Sequence, residues 1–153
     1  MMRSRSRFLL AVLVAGTIGG MLSGCTPVAH VSARIIDGKP AFSVCPGISP
    51  NRISISMTAL KPGKSHFKIF WQADGSGRLK PGTVVRYSVP PSGFHSTKQL
   101  PAVDFSTQRI DFEVQHIGAN GKPLYSVSGL FDGSKLSDTA WVNWNGDRTS
   151  NAC

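Results

Sequence analysis

Apolar and polar residues alternate with a period of two along most of the chain from Val31 onward, in short segments that turn residues separate. This period predicts β-strands, because successive side chains of a strand point to opposite faces of the sheet. No window of helical length has an apolar period of 3.6 residues, so we expect little helix. The clearest apolar positions fall in seven segments: Val31, Ala33 and Ile35; Phe42 and Val44; Ile53, Ile55 and Met57; Phe67, Ile69 and Trp71; Val85, Tyr87 and Val89; Tyr125, Val127, Gly129 and Phe131; Ala140, Val142 and Trp144.

The longest alternating segment runs from Gln108 to Ile117, with Ile110, Phe112 and Val114 on one side and polar residues on the other. Asn120-Gly121, which follows it, is a strong signal for a β-hairpin. About seven or eight short strands with turns between them predict an all-β fold. We expect an antiparallel β-sandwich of the immunoglobulin-like kind.

The segment Pro90–Ser106 is the longest stretch after Val31 that lacks clean alternation, and it contains three prolines. Loops of this length in a compact domain are usually functional or mobile. The sequence therefore predicts a binding loop here, with an aromatic and cationic tip made of Phe94, His95 and Lys98.

The N-terminal segment has the order of a secretory signal: Arg3, Arg5 and Arg7 without an acid, then an uncharged run over Phe8–Leu22, then small residues. The segment ends in Leu22-Ser23-Gly24-Cys25. These four residues resemble the lipobox of bacterial lipoproteins. The resemblance covers this N-terminal segment alone, and the rest of the chain resembles no family that we recognise.

The resemblance implies that Cys25 receives a diacylglyceryl group and becomes the first residue of the mature protein. Two acyl chains give stable membrane anchoring, whereas one gives marginal binding. We therefore expect a cleaved signal peptide over 1–24, a lipidated tether over 25–29 and one β-sandwich domain over 30–153, on the extracytoplasmic face of the cell membrane. An uncleaved transmembrane helix and a plain signal peptide remain alternatives, although the apolar run is shorter than the roughly 20 residues that a spanning helix needs.

The cysteine count agrees with acylation. The chain has three cysteines, Cys25, Cys45 and Cys153, and an odd number in an exported protein leaves one thiol over. Acylation of Cys25 would leave Cys45 and Cys153 as a pair in an oxidising compartment, where a disulfide persists. We expect this disulfide, with two independent thiols as the alternative.

Charge suggests the kind of partner. The formal net charge of +9 includes three arginines of the expected signal peptide, so the mature chain is less basic than the precursor. A moderately basic exported domain is attracted to anionic head groups and anionic wall polymers. An ordinary charge excess on a solvated surface explains the same composition. We expect no nucleic-acid partner.

Catalytic and metal-binding patterns are weak in this sequence. Asp111 and Glu113 are two residues apart on one strand face, which would place the carboxylates about 7 Å apart. A solvated polar face is the simpler interpretation, and the neighbouring Arg109 is expected to lower the pKa of an acid rather than raise it. The histidines show no metal-ligand spacing, and no serine lies in a nucleophile elbow. We expect no enzyme activity, no metal and no cofactor.

Two aromatic residues, Phe70 and Trp141, fall on the polar sides of their predicted strands. Outward aromatic rings on a sandwich stack on sugars or pack against a partner protein, although coverage by loops would remove them from solvent. The sequence as a whole favours a membrane-anchored, non-enzymatic binding or interaction module. Its expected partners are the bilayer through acylated Cys25 and an anionic envelope polymer, a glycan or another envelope protein. A hydrolase of envelope polymers and a purely structural lipoprotein are the alternatives.

Overall fold

A computed structural model describes residues 31–60, 66–101 and 103–153 of the chain. The expected signal peptide, the lipobox-type sequence and the expected tether, including Cys25, lie outside the described residues. Within those ranges the chain forms ten strands: β1 Val31–Ile36, β2 Lys39–Val44, β3 Arg52–Ala59, β4 Lys68–Gly75, β5 Thr83–Arg86, β6 Phe94–Gln99, β7 Gln108–Ile117, β8 Pro123–Asp132, β9 Trp141–Asn143 and β10 Arg148–Thr149. Helical structure is limited to two short 3-10 helices, Phe105–Thr107 and Gly133–Lys135.

The strands form two antiparallel sheets of five strands each. The first sheet has the order β10-β9-β1-β2-β5, and the second has the order β6-β4-β3-β7-β8. Apolar side chains from both sheets meet in one core, where the rings of Phe42 and Phe112 stack with their centroids 4.4 Å apart. The prediction of an all-β antiparallel sandwich with little helix is confirmed, with more strands than the seven or eight expected.

In the first sheet, β1 occupies the central position. It pairs with β2 through a tight hairpin and with β9 on its other side. The hairpin turn consists of Asp37 and Gly38, which have φ angles of 52° and 72°. Two consecutive positive φ angles match the twist of a two-residue hairpin, and Asp-Gly is a favoured sequence for that turn.

In the second sheet, β7 has the bounds that alternation predicts. It pairs with β3 on one side and with β8 on the other. Ile110, Phe112 and Val114 are buried in the core, while the intervening residues lie on the outer face. The predicted hairpin is also present, with a turn over residues 118–122. The amide of Gly118 donates to the carbonyl of Lys122, the amide of Gly121 donates to the carbonyl of Gly118, and Gly121 has a φ of 75°.

The predicted loop over Pro90–Ser106 is wrong for about half of its length. Residues Phe94–Gln99 form β6, the edge strand that pairs with β4, and Phe105–Thr107 is a 3-10 helix. Alternation failed here because every residue of β6 after Phe94 is exposed. An edge strand that is solvated on both faces has no apolar side to reveal its period.

The predicted disulfide joins Cys45, which directly follows β2, to Cys153, with their Cα atoms 5.4 Å apart. It holds the C-terminal segment against the outer face of the first sheet. There, Ser32 donates a hydrogen bond to the carbonyl of Ala152, and the Ser43 hydroxyl lies 3.4 Å from Cys153 Sγ. Both serines are almost fully buried because this segment lies against them. In the described ranges, we find no helix with the length and apolarity needed to cross a bilayer.

Candidate functional site

The three residues of the predicted binding tip do not act as one unit. Phe94 is 8% exposed and belongs to the hydrophobic core, so its assignment as a binding residue is a wrong prediction. His95 and Lys98 are exposed on β6, where they pair with Asp74 and Gln72 of β4. Residues that pair directly across two strands share a face of the sheet. His95 and Lys98 therefore lie beside polar side chains of β4 on the outer face of the second sheet.

A hydrogen-bonded cluster on this face is centred on Asp74, and we call it the Asp74 patch. Oδ1 of Asp74 accepts a hydrogen bond from Nε of Arg52 at 2.7 Å, and the two side chains form a salt bridge. Oδ2 of Asp74 accepts hydrogen bonds from Nε2 of Gln72 and from Oγ1 of Thr97, each at 2.9 Å. The patch consists of Arg52, Gln72, Asp74, His95, Thr97 and Lys98.

The electrostatics of the patch keep Asp74 ionised. Partial burial alone would raise the pKa of this carboxyl group. Hydrogen bonds from Arg52, Gln72 and Thr97, together with the charge of Arg52, outweigh the burial and lower the pKa below its ordinary value. The carboxylate thus fixes the positions of three neighbouring side chains at neutral pH.

The acid pair expected on β7 is also on the outer face of the second sheet, two strands away from β4. Asp111 and Glu113 are both half-buried. Burial raises the pKa of Asp111, and the negative charge of Glu113 raises it further. The expectation that Arg109 would lower the pKa of an acid in this pair is wrong for Asp111, because burial and the second carboxylate dominate.

The two aromatic residues predicted to be exposed are largely covered, so that prediction is wrong. Phe70 lies at the irregularity between β3 and β4 and packs against the core. Trp141 lies outside the core cluster, yet it is only 7% exposed. The guanidinium of Arg34 lies over its ring, 5.4 Å from the centroid, and this cation–π contact holds the ring against the sheet.

The exposed tryptophan of the domain is Trp144, which sequence reasoning assigned to the inner face beside Val142. Trp144 is 49% exposed because β9 ends at Asn143 and the chain turns into the β9–β10 hairpin. Together with Leu130, which is 50% exposed, it lines a groove of about 390 Å³ between this hairpin and the edge strand β8. We call this the Trp144 groove. Its lining includes Arg109, Leu130, Asp132, Lys135, Asn143 and Trp144.

Cations surround the Trp144 groove. Arg109 and Lys135 line it, and Nη2 of Arg148 on the adjacent strand β10 lies 3.5 Å from the carbonyl oxygen of Lys135. A hydrogen bond from Ser134, and the charges of Lys135 and Arg109, lower the pKa of Asp132 despite its partial burial. The sequence does contain a signal for the exposure of Trp144. Asn145-Gly146 is a turn sequence that directly follows Trp144, so the alternation of the strand ends there and need not place Trp144 on the inner face.

The described part of the chain contains no group of three histidine, cysteine, aspartate or glutamate side chains that could hold a metal ion. No family model matches this chain, and no curated protein or solved structure is significantly similar to it. The functional interpretation therefore depends on the surfaces themselves. Two such surfaces stand out, the Asp74 patch at one edge of the second sheet and the Trp144 groove at the other.

Proposed function

We propose that this protein is a lipid-anchored, extracytoplasmic binding module without catalytic activity, which recognises a hydroxyl-rich envelope glycan through the Asp74 patch. The observation that carries the proposal is the hydrogen-bonded network around Asp74 on an open sheet face. Side chains that are fixed before binding lose little conformational entropy when a ligand contacts them.

The chemistry of the patch favours a glycan over an apolar ligand. Gln72 offers its amide oxygen as an acceptor for sugar hydroxyls, because its amide nitrogen already donates to Asp74 and to Thr97. Thr97 donates its own proton to Asp74 and offers its hydroxyl oxygen. Lys98 and His95 add exposed cationic or polar groups that suit acidic substituents on a sugar chain. An anionic envelope polymer has the same hydroxyl and acidic groups, so it belongs to the same ligand class.

The lipobox-type sequence ending at Cys25 supports membrane anchoring, and the disulfide agrees with export into an oxidising compartment. A domain on a short tether would then present its patch to polymers of the surrounding envelope. From this position the domain would bind an envelope polymer without transporting it or converting it to a product.

Binding is tested with the full lipidated chain in detergent, mixed with purified insoluble envelope polysaccharide and sedimented. We expect Gln72→Ala combined with Lys98→Ala to lower the bound fraction at least several-fold. Gln108→Ala combined with Lys39→Ala is the matched control, because it removes the same two side-chain types outside the patch and should bind like the wild type. Equal binding by both double variants would reject the patch as the binding site.

Anchoring is tested separately by replacing Cys25 with Ala. We expect the variant to leave the membrane fraction or to accumulate as an unprocessed precursor, and to incorporate no labelled palmitate. Palmitate incorporation that persists in this variant would contradict the lipobox interpretation, whatever the result at the patch.

A hydrolase of envelope polymers is the second candidate, and one observation favours it. Asp111 has a raised pKa next to a second carboxyl group, as a general acid requires. Release of new reducing ends from the polysaccharide by the wild type, abolished in Asp111→Asn, would replace the binding proposal with this one. We expect no release.

A further inference from the structure

The Trp144 groove lies next to the point where the chain enters the domain. Asn143 pairs with Ser32, the second residue of β1, and Trp144 is the residue that follows Asn143. Paired residues in an antiparallel sheet have Cα atoms about 4.5–5.5 Å apart. Trp144 is therefore a near neighbour of Val31, where β1 begins.

The distance from this point to the expected lipid anchor is short. Val31 lies six positions after Cys25 in the sequence, and a fully extended chain of that length spans at most about 20 Å. An acylated Cys25 would thus hold the N-terminal end of β1, and the groove beside it, within about 20 Å of the bilayer surface.

The surface chemistry of the groove matches that of a membrane interface. Tryptophan is enriched at bilayer interfaces, because its ring is apolar while its indole N–H bonds to water and head groups. Leu130 adds exposed apolar area beside Trp144. Arg109, Lys135 and Arg148 outnumber the acidic side chains Asp132 and Asp147 in this region, and each cation near an anionic lipid surface contributes about 1 kcal/mol.

We propose that the Trp144 groove is a membrane-contacting surface that seats the anchored domain on an anionic bilayer, with Trp144 at the level of the lipid head groups. This inference rests on the lipid anchor of the proposed function. It assigns the β8 edge of the second sheet to the membrane. The Asp74 patch is then held away from the bilayer, because three strands lie between β8 and β6 and adjacent strands are about 4.8 Å apart.

The tryptophan content of the domain makes the contact measurable. Trp71 and Trp141 are buried, so Trp144 is the tryptophan that a quencher in the bilayer can reach among the residues described. The full lipidated chain is reconstituted into vesicles of phosphatidylcholine and phosphatidylglycerol whose acyl chains are brominated, and its emission is compared with that in unbrominated vesicles. We expect part of the emission to be quenched, and the quenched part to disappear in Trp144→Phe.

A relocated tryptophan provides the matched control. Val89 is 55% exposed beyond β5, at the opposite end of the first sheet from Val31. In the double variant Trp144→Phe with Val89→Trp, we expect no bromolipid quenching although the chain remains on the vesicles. Replacing phosphatidylglycerol by phosphatidylcholine, or raising the salt concentration, should reduce the quenching of the wild type, because both weaken the attraction of the cations.

Three outcomes would overturn the inference. Equal quenching of Trp144 and of the tryptophan at position 89 would show that the domain has no fixed orientation on the bilayer. This result would not contradict the lipid anchor. A blue shift of Trp144 emission caused by soluble acidic polysaccharide without vesicles would identify the groove as a glycan site. Failure of the full chain to sediment with vesicles would contradict the lipid anchor and therefore also this inference. It would not contradict glycan binding by the Asp74 patch.

Discussion

Two aspartates on the outer face of the same sheet have pKa values shifted in opposite directions. Asp74 accepts three hydrogen bonds and faces Arg52, so its pKa is lowered in spite of burial. Asp111 is half-buried beside Glu113, and its side chain makes no hydrogen bond or ion pair among the described residues, so its pKa is raised. Both residues are aspartates on the outer face of one sheet. The opposite directions of their pKa shifts therefore come from the neighbouring side chains that the fold brings to each.

The two shifts predict opposite effects on stability. A lowered pKa stabilises the folded state above the unfolded value, which is ordinarily 3.8, and this contribution is lost as the pH falls. We expect Asp74→Asn to lower the free energy of unfolding by about 1–2 kcal/mol at neutral pH, since hydrogen bonds to a charged group are lost. The difference from the wild type should shrink as the pH falls below 4 in urea unfolding.

Asp111→Asn is the matched comparison on the same face. Ionisation of Asp111 opposes folding, because its pKa is raised, and the penalty grows as the pH rises from the ordinary value of 3.8 through the raised pKa. The variant should therefore be more stable than the wild type at neutral pH and equal to it in acid. If both asparagine variants changed stability in the same direction, the electrostatic account of this face would be wrong.

Exposure of single residues was the least predictable feature. Alternation placed Trp141 on the outer face, and the register confirms that face, since Trp141 adjoins the pair Ala33 and Val142 that points inward. The ring is covered all the same, because Arg34 lies over it. Such a contact joins residues far apart in the chain, so no local pattern reveals it.

At the scale of elements, the sequence predicted well where a strand has one buried face. β7 and the hairpin at Asn120-Gly121 agree with the predictions, because alternation and turn residues act together there. β6 was missed because it is an exposed edge strand, recognisable only through its pairing with β4. The Asp74 patch was missed for the same reason, since Thr97 belongs to β6 and Asp74 to β4.

Because Phe94–Gln99 forms a strand and not a loop, we expect its residues to differ in how much they contribute to stability. Phe94 is buried in the core, and removal of a buried phenylalanine side chain costs about 3–5 kcal/mol. We expect Phe94→Ala to lower the free energy of unfolding by this amount in denaturant titrations. Lys98→Ala on the same strand is the control and should change stability by less than about 0.5 kcal/mol. Equal stability of the two variants would contradict the packing of β6 on the core.

At the scale of the whole molecule, the disulfide closes most of the domain into one covalent loop. Cys45 and Cys153 are separated by 108 positions. We expect Cys153→Ser to lower the free energy of unfolding by about 2–5 kcal/mol, the usual effect of removing a native disulfide from a small secreted domain. Reductant should destabilise the wild type in the same unfolding experiment and leave the variant unchanged. A wild type insensitive to reductant would show that the bridge contributes nothing.

The sandwich also separates the two candidate surfaces. The Asp74 patch lies at the β6 and β4 side of the second sheet, and the Trp144 groove lies at its β8 edge. Composition predicted a basic β domain but could not assign its charges to surfaces, because that assignment depends on the order of strands in the sheet. Strand order is a property of the whole fold and cannot be deduced from the spacing of apolar and polar residues within each strand.

The central position of β1 has a mechanical consequence. A pull on the chain before Val31 acts along a strand that is hydrogen-bonded on both sides, and these bonds lie perpendicular to the strand, so they resist together rather than one after another. If the two ladders did rupture, the disulfide at Cys45 would stop further extension after about 50 Å of chain. When the opposite pull acts at Cys153, the load then passes through the disulfide and bypasses strands β3 to β10, which lie inside the covalent loop.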